Sequence, residues 1–265
     1  LDKYQKAHNY SFQSKVETFE ILLWTNNNDW ENVLKDLKND SSTSNKNIEL
    51  VLNALLNNNK INELIDVLHS LRINRSPDYF SFQLGIYYSM NMLIENAMDQ
   101  FLIFLKHNPK KRILIRNRIM AFPEIDAIQI KIKEILNKTN IDDAKLILAD
   151  LKFKEKKYSQ AYDIIKKYSD DDSEKIEFID NLIKLNEYEL AQVIIKDVLN
   201  TNSNEKILKK AIIQSAKIFE QLLISNIYDM PITDKINKNE LLNSQYIKVD
   251  ENNSIFLTKA IAIYD

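Results

Sequence analysis

The chain has 265 residues, with one glycine, four prolines, no cysteine and a formal net charge of −2. Because tight turns with positive φ are built mainly on glycine, this composition argues against a sheet protein with many hairpins and favours long helices. The lack of cysteine excludes disulfides, thiolate metal sites and cysteine nucleophiles. The near-neutral charge provides no long-range field that would recruit nucleic acid or an anionic membrane.

Apolar residues make up 45% of the chain, which is typical of a folded protein. They occur in short runs, and the best of these, Phe101 to Leu105, has five residues. Crossing a bilayer takes roughly 18. We therefore expect no membrane-spanning segment.

A four-residue opening recurs along the chain: an apolar residue, two variable residues, and a small or aliphatic residue. It occurs as Trp30-Glu-Asn-Val33, Ile61-Asn-Glu-Leu64, Ile94-Glu-Asn-Ala97, Tyr158-Ser-Gln-Ala161 and Tyr188-Glu-Leu-Ala191. Successive fourth residues are 31, 33, 64 and 30 positions apart, a period of about 32. The openings predict the second helices of consecutive helical hairpins, with one poorly marked repeat near residues 110–140. Ala127 is the candidate marker of that repeat.

The turns before these openings are polar and often contain asparagine, as in Asn57-Asn-Asn-Lys60 and Asn186-Glu187. Asparagine tolerates the left-handed backbone conformation that glycine usually provides at helix C-termini. We therefore expect asparagine to replace glycine where the first helices end.

The most complete pattern surrounds the only glycine. Leu84-Gly85 is followed by Tyr88, and then by Ala97, Phe101 and Pro109 at 12, 16 and 24 residues beyond the glycine. At this spacing the glycine lets a neighbouring helix approach, the alanine lies where paired helices touch, and the proline closes the second helix. The segment resembles a tetratricopeptide repeat.

This resemblance covers roughly residues 14–200 and is strongest over 78–109. It implies an all-α fold, a right-handed α-hairpin solenoid like the superhelix of tetratricopeptide repeats, with about six hairpins over residues 1–203. Ser81 departs from the pattern because the family has an early tryptophan there, and Lys152 stands at the position that matches Tyr88. Spacings of 30 and 31 also fit looser families of helical hairpins, which remain an alternative.

Residues 204–265 follow a different rhythm. Asn204 to Ser225 predicts one long amphipathic helix, and residues 226–253 predict an irregular connection. The last segment is interpreted as a helix from about Ser254 that starts a further repeat. The alternative is a small hairpin that pairs residues 246–249 with 254–257.

The resemblance implies that a partner binds in the concave groove lined by the first helix of each repeat. The predicted partner-binding residues are Tyr79, Phe82, Ile86, Met90, Leu146, Asp150, Phe153, Ile176, Asp180 and Ile183. The alternative is that these residues pack against adjacent repeats. Phe82 and Ile86 stand where the family's clamp for chaperone C-termini needs polar residues, so binding of that kind is not expected.

The sequence offers no residues suited to catalysis, metal binding or cofactor binding. Its three histidines are isolated, and one glycine cannot build a phosphate-binding loop. The acidic run at residues 170–172 lacks the spacing of a calcium loop and predicts a turn in which Asp172 or Ser173 caps the next helix. We therefore expect a protein that is not an enzyme and has no cofactor.

These patterns predict a protein–protein interaction scaffold that binds a protein or peptide partner. One alternative is RNA binding of the pentatricopeptide kind, supported by a basic cluster. Its members are Lys106, Lys110, Lys111, Arg112, Arg116 and Arg118. The cluster is interpreted instead as a solvated face beside core residues Ile113, Leu114 and Ile115, because no aromatic residues are interleaved with it. A purely structural arm of a larger assembly is the third alternative, and the compartment stays open.

Overall fold

The computed structural model describes residues 12–25, 27–39, 45–202, 204–228 and 251–264. Within these residues there are fourteen α-helices and no β-strand, so the all-α prediction is confirmed there. The helices are α1 (Phe12–Trp24), α2 (Trp30–Asn39), α3 (Asn45–Asn57), α4 (Ile61–Asn74), α5 (Ser81–Met90), α6 (Ile94–His107), α7 (Arg112–Met120), α8 (Asp126–Lys138), α9 (Asp142–Lys154), α10 (Tyr158–Tyr168), α11 (Asp172–Lys184), α12 (Tyr188–Thr201), α13 (Glu205–Tyr228) and α14 (Glu251–Tyr264). A 3₁₀ turn, Pro109–Lys111, precedes α7.

Helices α1 to α12 follow one another as six successive pairs. The second helices of five pairs begin at the residues at which the recurring opening predicts them: Trp30, Ile61, Ile94, Tyr158 and Tyr188. The pair α7 and α8 occupies the interval at residues 110–140 where the period predicts an unmarked repeat. This order of helices is compatible with a helical repeat.

The chain divides into two compact units, Leu1–Ile147 and Leu148–Asp265, and the boundary falls within α9. In the first unit α1 packs against α2 and α3, α3 packs against α4, and α6 packs against α5, α7 and α8. In the second unit α11 packs against α10, α12 and α13, and α13 packs against α12 and α14. These contacts join helices that are close in sequence, as they do in proteins built from stacked repeats.

The turns inside four of the pairs share one backbone geometry. After α3, the N–H of Lys60 donates to the carbonyl of Leu55 (2.9 Å), and the N–H of Asn59 donates to that of Leu56 (3.1 Å). This is the Schellman arrangement, in which the residue beyond the helix end has positive φ. The positive φ values are 56° at Asn59, 58° at Met92, 60° at Lys156 and 63° at Asn186. The expected asparagine is therefore present in two turns, whereas methionine and lysine adopt the same conformation in the other two.

Helices α5 and α6 approach closely at the only glycine. A Cβ atom built on Gly85 would lie 2.6 Å from Cε1 of Phe101, which is fully buried. The predicted role of the glycine is therefore confirmed. The ends of the pair are also joined, because Nδ2 of Asn108 donates to Oδ2 of Asp78 (2.6 Å). Burial raises the pKa of Asp78, but hydrogen bonds from Ser76 and Asn108 outweigh it and hold that pKa below its usual value.

Three local predictions are wrong in detail. Ala127 is exposed in the first turn of α8, where Ile132 and Leu136 provide the buried contacts instead. It therefore cannot be a packing marker.

The second correction concerns the start of α11. Asp171, one residue earlier than predicted, caps this helix, and its Oδ1 accepts a hydrogen bond from the N–H of Ser173 (2.8 Å).

The third correction concerns the start of α7. Ile113 and Leu114 are 67% and 37% exposed, whereas Ile115 and Ile119 are fully buried. The buried side of α7 follows the four-residue spacing of a helix, so consecutive apolar residues cannot all reach the core.

The C-terminal region is helical on both sides of the undescribed residues 229–250. Helix α13 confirms the long helix predicted from Asn204, and it extends through residues 226–228. Helix α14 begins at Glu251 and packs against α13. The alternative hairpin is wrong because residues 254–257 are helical. The rest of the predicted connection lies outside the described residues.

Candidate functional site

The α5 face is the surface formed by Tyr79, Phe82, Ile86 and Met90, the predicted partner-binding residues of the third helix pair. Helix α5 contains no charged residue. Phe82 and Ile86 are half-buried, and Met90 is 79% exposed. The packing of α5 onto its neighbours therefore leaves part of this apolar surface in contact with solvent.

Phe82 is held in place by three side chains. The centre of its ring lies 5.3 Å from that of Phe104 and 6.4 Å from that of Phe101, both on α6. The guanidinium carbon of Arg118, on α7, lies 5.9 Å from the centre of the Phe82 ring. Such an arrangement is an attractive cation–π contact, so a cation stands at the edge of the apolar face.

Tyr79 lies two residues before α5 rather than within it. The guanidinium carbon of Arg75 is 5.4 Å from the centre of its ring. Burial raises the pKa of the Tyr79 hydroxyl, and the carboxylate of Glu49 on α3 raises it further. This end of the α5 face therefore has a cation and an anion close together.

The predicted residues on α9 and α11 are more deeply packed. Leu146, which belongs to the first unit, and Ile176, in the second, are 7% and 5% exposed. Phe153 is half-buried, and its ring centre lies 5.2 Å from that of Phe178 and 5.0 Å from that of Tyr158. Leu146 and Ile176 therefore fit the alternative interpretation, in which these residues pack between helices rather than bind a partner.

The remaining three predicted residues, Asp150, Asp180 and Ile183, are half-buried. The carboxylate of Asp180 accepts a hydrogen bond from the side-chain amide of Gln214 on α13. Gln214 is itself buried, and its Oε1 has no hydrogen-bond partner among the described residues. Asp180 thus helps to hold α13 against α11.

Sequence reasoning missed a hydrogen-bond network around Arg72, on α4. Its Nη2 donates to Oγ of Ser81 (2.8 Å) and to Oε1 of Gln100 (2.7 Å), and its Nε donates to the carbonyl of Tyr79 (3.2 Å). Burial lowers the pKa of Arg72, with Asp78 opposing that effect. The network connects α4 with the start of α5 and with α6.

Arg72 also lines a cleft of ≈ 490 Å³ between α4, α5 and α6. Ile65, Ile73 and Leu84 contribute apolar lining, and Asp99 contributes a carboxylate. The sequence feature that could have indicated this network is Ser81. It is fully buried and stands where the resemblance calls for tryptophan. A small residue there makes room for the side chain of Arg72.

A second missed cluster lies in the second unit, between α10 and α12. Oδ2 of Asp197 accepts a hydrogen bond from the hydroxyl of Tyr162 (2.8 Å), and Oδ1 accepts one from Nζ of Lys166 (2.7 Å). The bond from Lys166 lowers the pKa of Asp197, burial opposes it, and Tyr162 lowers it further. Burial, followed by the bond to Asp197, raises the pKa of Tyr162 well above its usual value. The cluster therefore connects α10 with α12.

Some residues of the basic cluster contact other helices, and others are exposed to solvent. Arg112 forms an ion pair with Asp143 of α9, with 3.6 Å between Nη1 and Oδ1. Lys110, Lys111 and Arg118 are exposed. Phe82 precedes Arg118 by 36 positions in the sequence but lies beside it in the structure. One aromatic residue therefore does adjoin the cluster.

In the part of the chain that the structure describes, no group of three or more acidic or histidine side chains could hold a metal ion. The same residues include no helix that is both long and apolar enough to cross a membrane. In comparisons with known proteins, no family model matches the chain, and no curated protein or solved structure is significantly similar to it.

Proposed function

We propose that this chain is a non-enzymatic scaffold that binds a segment of another protein on the α5 face. The carrying observation is the exposure of Met90 beside half-buried Phe82 and Ile86, on a helix that has no charged residue. A partner that covers these side chains would remove apolar surface from water, which favours association. Asp150, Phe153, Asp180 and Ile183, which belong to the second unit and are partly exposed, would be separate points of contact for a partner.

The arrangement of the repeats is part of the same proposal. Helices α1 to α12 would form six hairpins of the tetratricopeptide kind, wound in a right-handed array over residues 1–203. Helix α13, which packs against α12, would continue it. Four Schellman turns of equal geometry and the close contact of α5 with α6 at Gly85 support this arrangement.

Selection from a random peptide library tests the function without knowledge of the natural partner. Peptides selected on the wild-type chain are measured by titration against Met90→Glu, whose side chain is exposed enough to leave the fold unchanged. The matched control is Ile130→Glu, at a residue of α8 that is 54% exposed. We expect Met90→Glu to weaken binding about tenfold and Ile130→Glu to leave it unchanged.

Amide hydrogen exchange on the peptide complex locates the binding surface independently. Protection of α5 and its flanking turns is the expected result. Peptides that bind both variants as tightly as the wild type, or that protect other helices only, would show that the α5 face is not the docking surface.

A further inference from the structure

We propose that the partner of the α5 face is an acidic amphipathic helix, whose apolar side covers Phe82, Ile86 and Met90 and whose carboxylates pair with Arg118. The inference rests on the proposed function of this face and adds the chemistry of the partner. It follows from where charge lies around the apolar surface.

Positive charge is concentrated in this part of the chain. Residues 79–120 contain six lysines and arginines but only two acids, Glu95 and Asp99, although the whole chain has a net charge of −2. Glu95 already forms an ion pair with Lys131 of α8, and Asp99 lines the cleft beside Arg72. Neither acid is therefore paired with Arg118, the cation beside Phe82.

Arg118 is the cation best placed to meet a partner. It is exposed, its guanidinium lies over the Phe82 ring, and it forms no ion pair with any residue that the structure describes. Arg112, by contrast, is already paired with Asp143. At the other end of the face, Glu49 accompanies Arg75 beside Tyr79. A carboxylate therefore accompanies the cation at the Tyr79 end, whereas the cation at the Phe82 end has no ion pair among the described residues.

The same cations could attract single-stranded RNA, but Phe82 does not suit that ligand. Bases bind aromatic residues by stacking on an available ring face. Phe82 is half-buried, with Phe101 and Phe104 on one helix and Arg118 on the other. An apolar strip with a cation at its edge matches instead an amphipathic helix with apolar residues at i, i+3, i+4 and i+7 and carboxylates beside them.

Three helical peptides of about 16 residues test the inference. They share one leucine pattern at the spacing above and carry glutamate, glutamine or lysine at the flanking positions. Each is titrated against the full chain, Arg118→Glu, Arg118→Gln and, as the matched control, Lys138→Glu at an exposed residue of α8. Circular dichroism and the melting temperature of every variant are measured first. Retained structure is expected because Arg118 is exposed and has no ion pair among the described residues.

We expect the glutamate peptide to bind the wild type most tightly, and increasingly weakly as salt is added. Arg118→Glu should weaken it about tenfold, and Arg118→Gln by a smaller factor. Lys138→Glu should have no effect. Arg118→Glu should also bind the lysine peptide more tightly than the wild type does, because the charges then match.

The acidic partner would be overturned if the glutamate and glutamine peptides bound equally, or if the Arg118→Glu variant bound like the wild type. Either result would leave the proposed docking function in place. No binding of any peptide to the wild type would count against both. An oligouridine of about 20 nucleotides is titrated in parallel. Tighter, Arg118-dependent binding of this RNA than of the glutamate peptide would replace the protein partner with RNA.

Discussion

A side chain at Gly85 would collide with Phe101. The Cβ position of residue 85 lies 2.6 Å from Cε1 and 2.7 Å from Cδ1 of the phenylalanine ring. Because Phe101 is fully buried, its ring has little space to move away. The contact fixes the separation of α5 and α6, and through it the position of Phe82, whose ring also packs on Phe101.

Gly85→Ala should therefore destabilise the chain, although alanine is the better helix former by about 1 kcal/mol. We expect overpacking to exceed that gain and to lower the free energy of unfolding by about 1–3 kcal/mol, measured by urea denaturation. Gln83→Ala, at an exposed residue of the same helix, is the control. Adding Phe101→Leu should recover part of the loss. A Gly85→Ala variant as stable as the wild type would mean that α6 can shift without cost.

Met92 and Lys156 adopt the left-handed backbone conformation, so replacing either residue with glycine should stabilise the chain. An L-residue other than asparagine or aspartate pays about 1–2 kcal/mol for this conformation, and glycine does not. Both side chains are exposed, so little packing is lost. After the larger entropy of unfolded glycine is counted, Met92→Gly and Lys156→Gly should each stabilise the chain by about 0.5–1 kcal/mol.

The urea midpoint of each variant checks this prediction. The matched control is Asn91→Gly, because Asn91 precedes Met92 and has a φ of −89°. It should destabilise the chain, because it relieves no strain and removes the side-chain amide that donates a hydrogen bond to the carbonyl of Tyr87. Equal effects of glycine at residues 91 and 92 would contradict the role assigned to the left-handed conformation.

The helix pairs could be predicted from the sequence because their signals are local. An apolar residue at each second-helix start and a period of about 32 place five helices correctly, and the period alone indicates the fourth pair. The left-handed turns at Met92 and Lys156 could not be predicted in this way. There the packing of two helices imposes a conformation that the residue itself does not prefer.

Contacts between residues that are far apart in the chain also could not be predicted from the sequence. Arg72 and Gln100 are separated by 28 positions, and Tyr162 and Asp197 by 35. No local periodicity links such residues, so only the packing of one helix pair on the next brings them together. Among the candidate site residues, spacing assigned Phe82, Ile86 and Met90 to one helix, but it could not show that Arg118 lies beside Phe82.

Arg72 should be important for stability because it donates hydrogen bonds to three acceptors, one of which is the hydroxyl of the buried Ser81. Arg72→Met preserves much of the side-chain volume but leaves the fully buried hydroxyl of Ser81 without its donor. We expect a loss of about 1–3 kcal/mol in the free energy of unfolding. In a double-mutant cycle with Ser81→Ala, the two losses should be less than additive, because either change removes the same hydrogen bond. Strictly additive losses would show that this bond contributes nothing.

The Asp197 cluster should give the chain a pH dependence at both extremes. In the folded state the pKa of Asp197 is lowered, so its stabilising contribution is present above about pH 4 and is lost as the pH falls through the folded pKa. The pKa of Tyr162 is raised, so its contribution is complete below about pH 10 and is lost as the pH rises further. Asp197→Asn should flatten the acid side of the stability profile, and Tyr162→Phe should flatten the alkaline side.

Melting temperatures across the pH range, at constant ionic strength, measure both slopes. Asp170→Asn is the control for the acid side, because Asp170 is exposed in the same unit and forms no ion pair with the described residues. Its profile should keep the wild-type slope. Lys166 contributes most to the lowered pKa of Asp197, so Lys166→Met should reproduce the acid effect of Asp197→Asn. It should leave much of the alkaline slope, because burial is the main cause of the raised pKa of Tyr162. Loss of both slopes in Lys166→Met would mean that the cluster opens as a whole when its cation is removed.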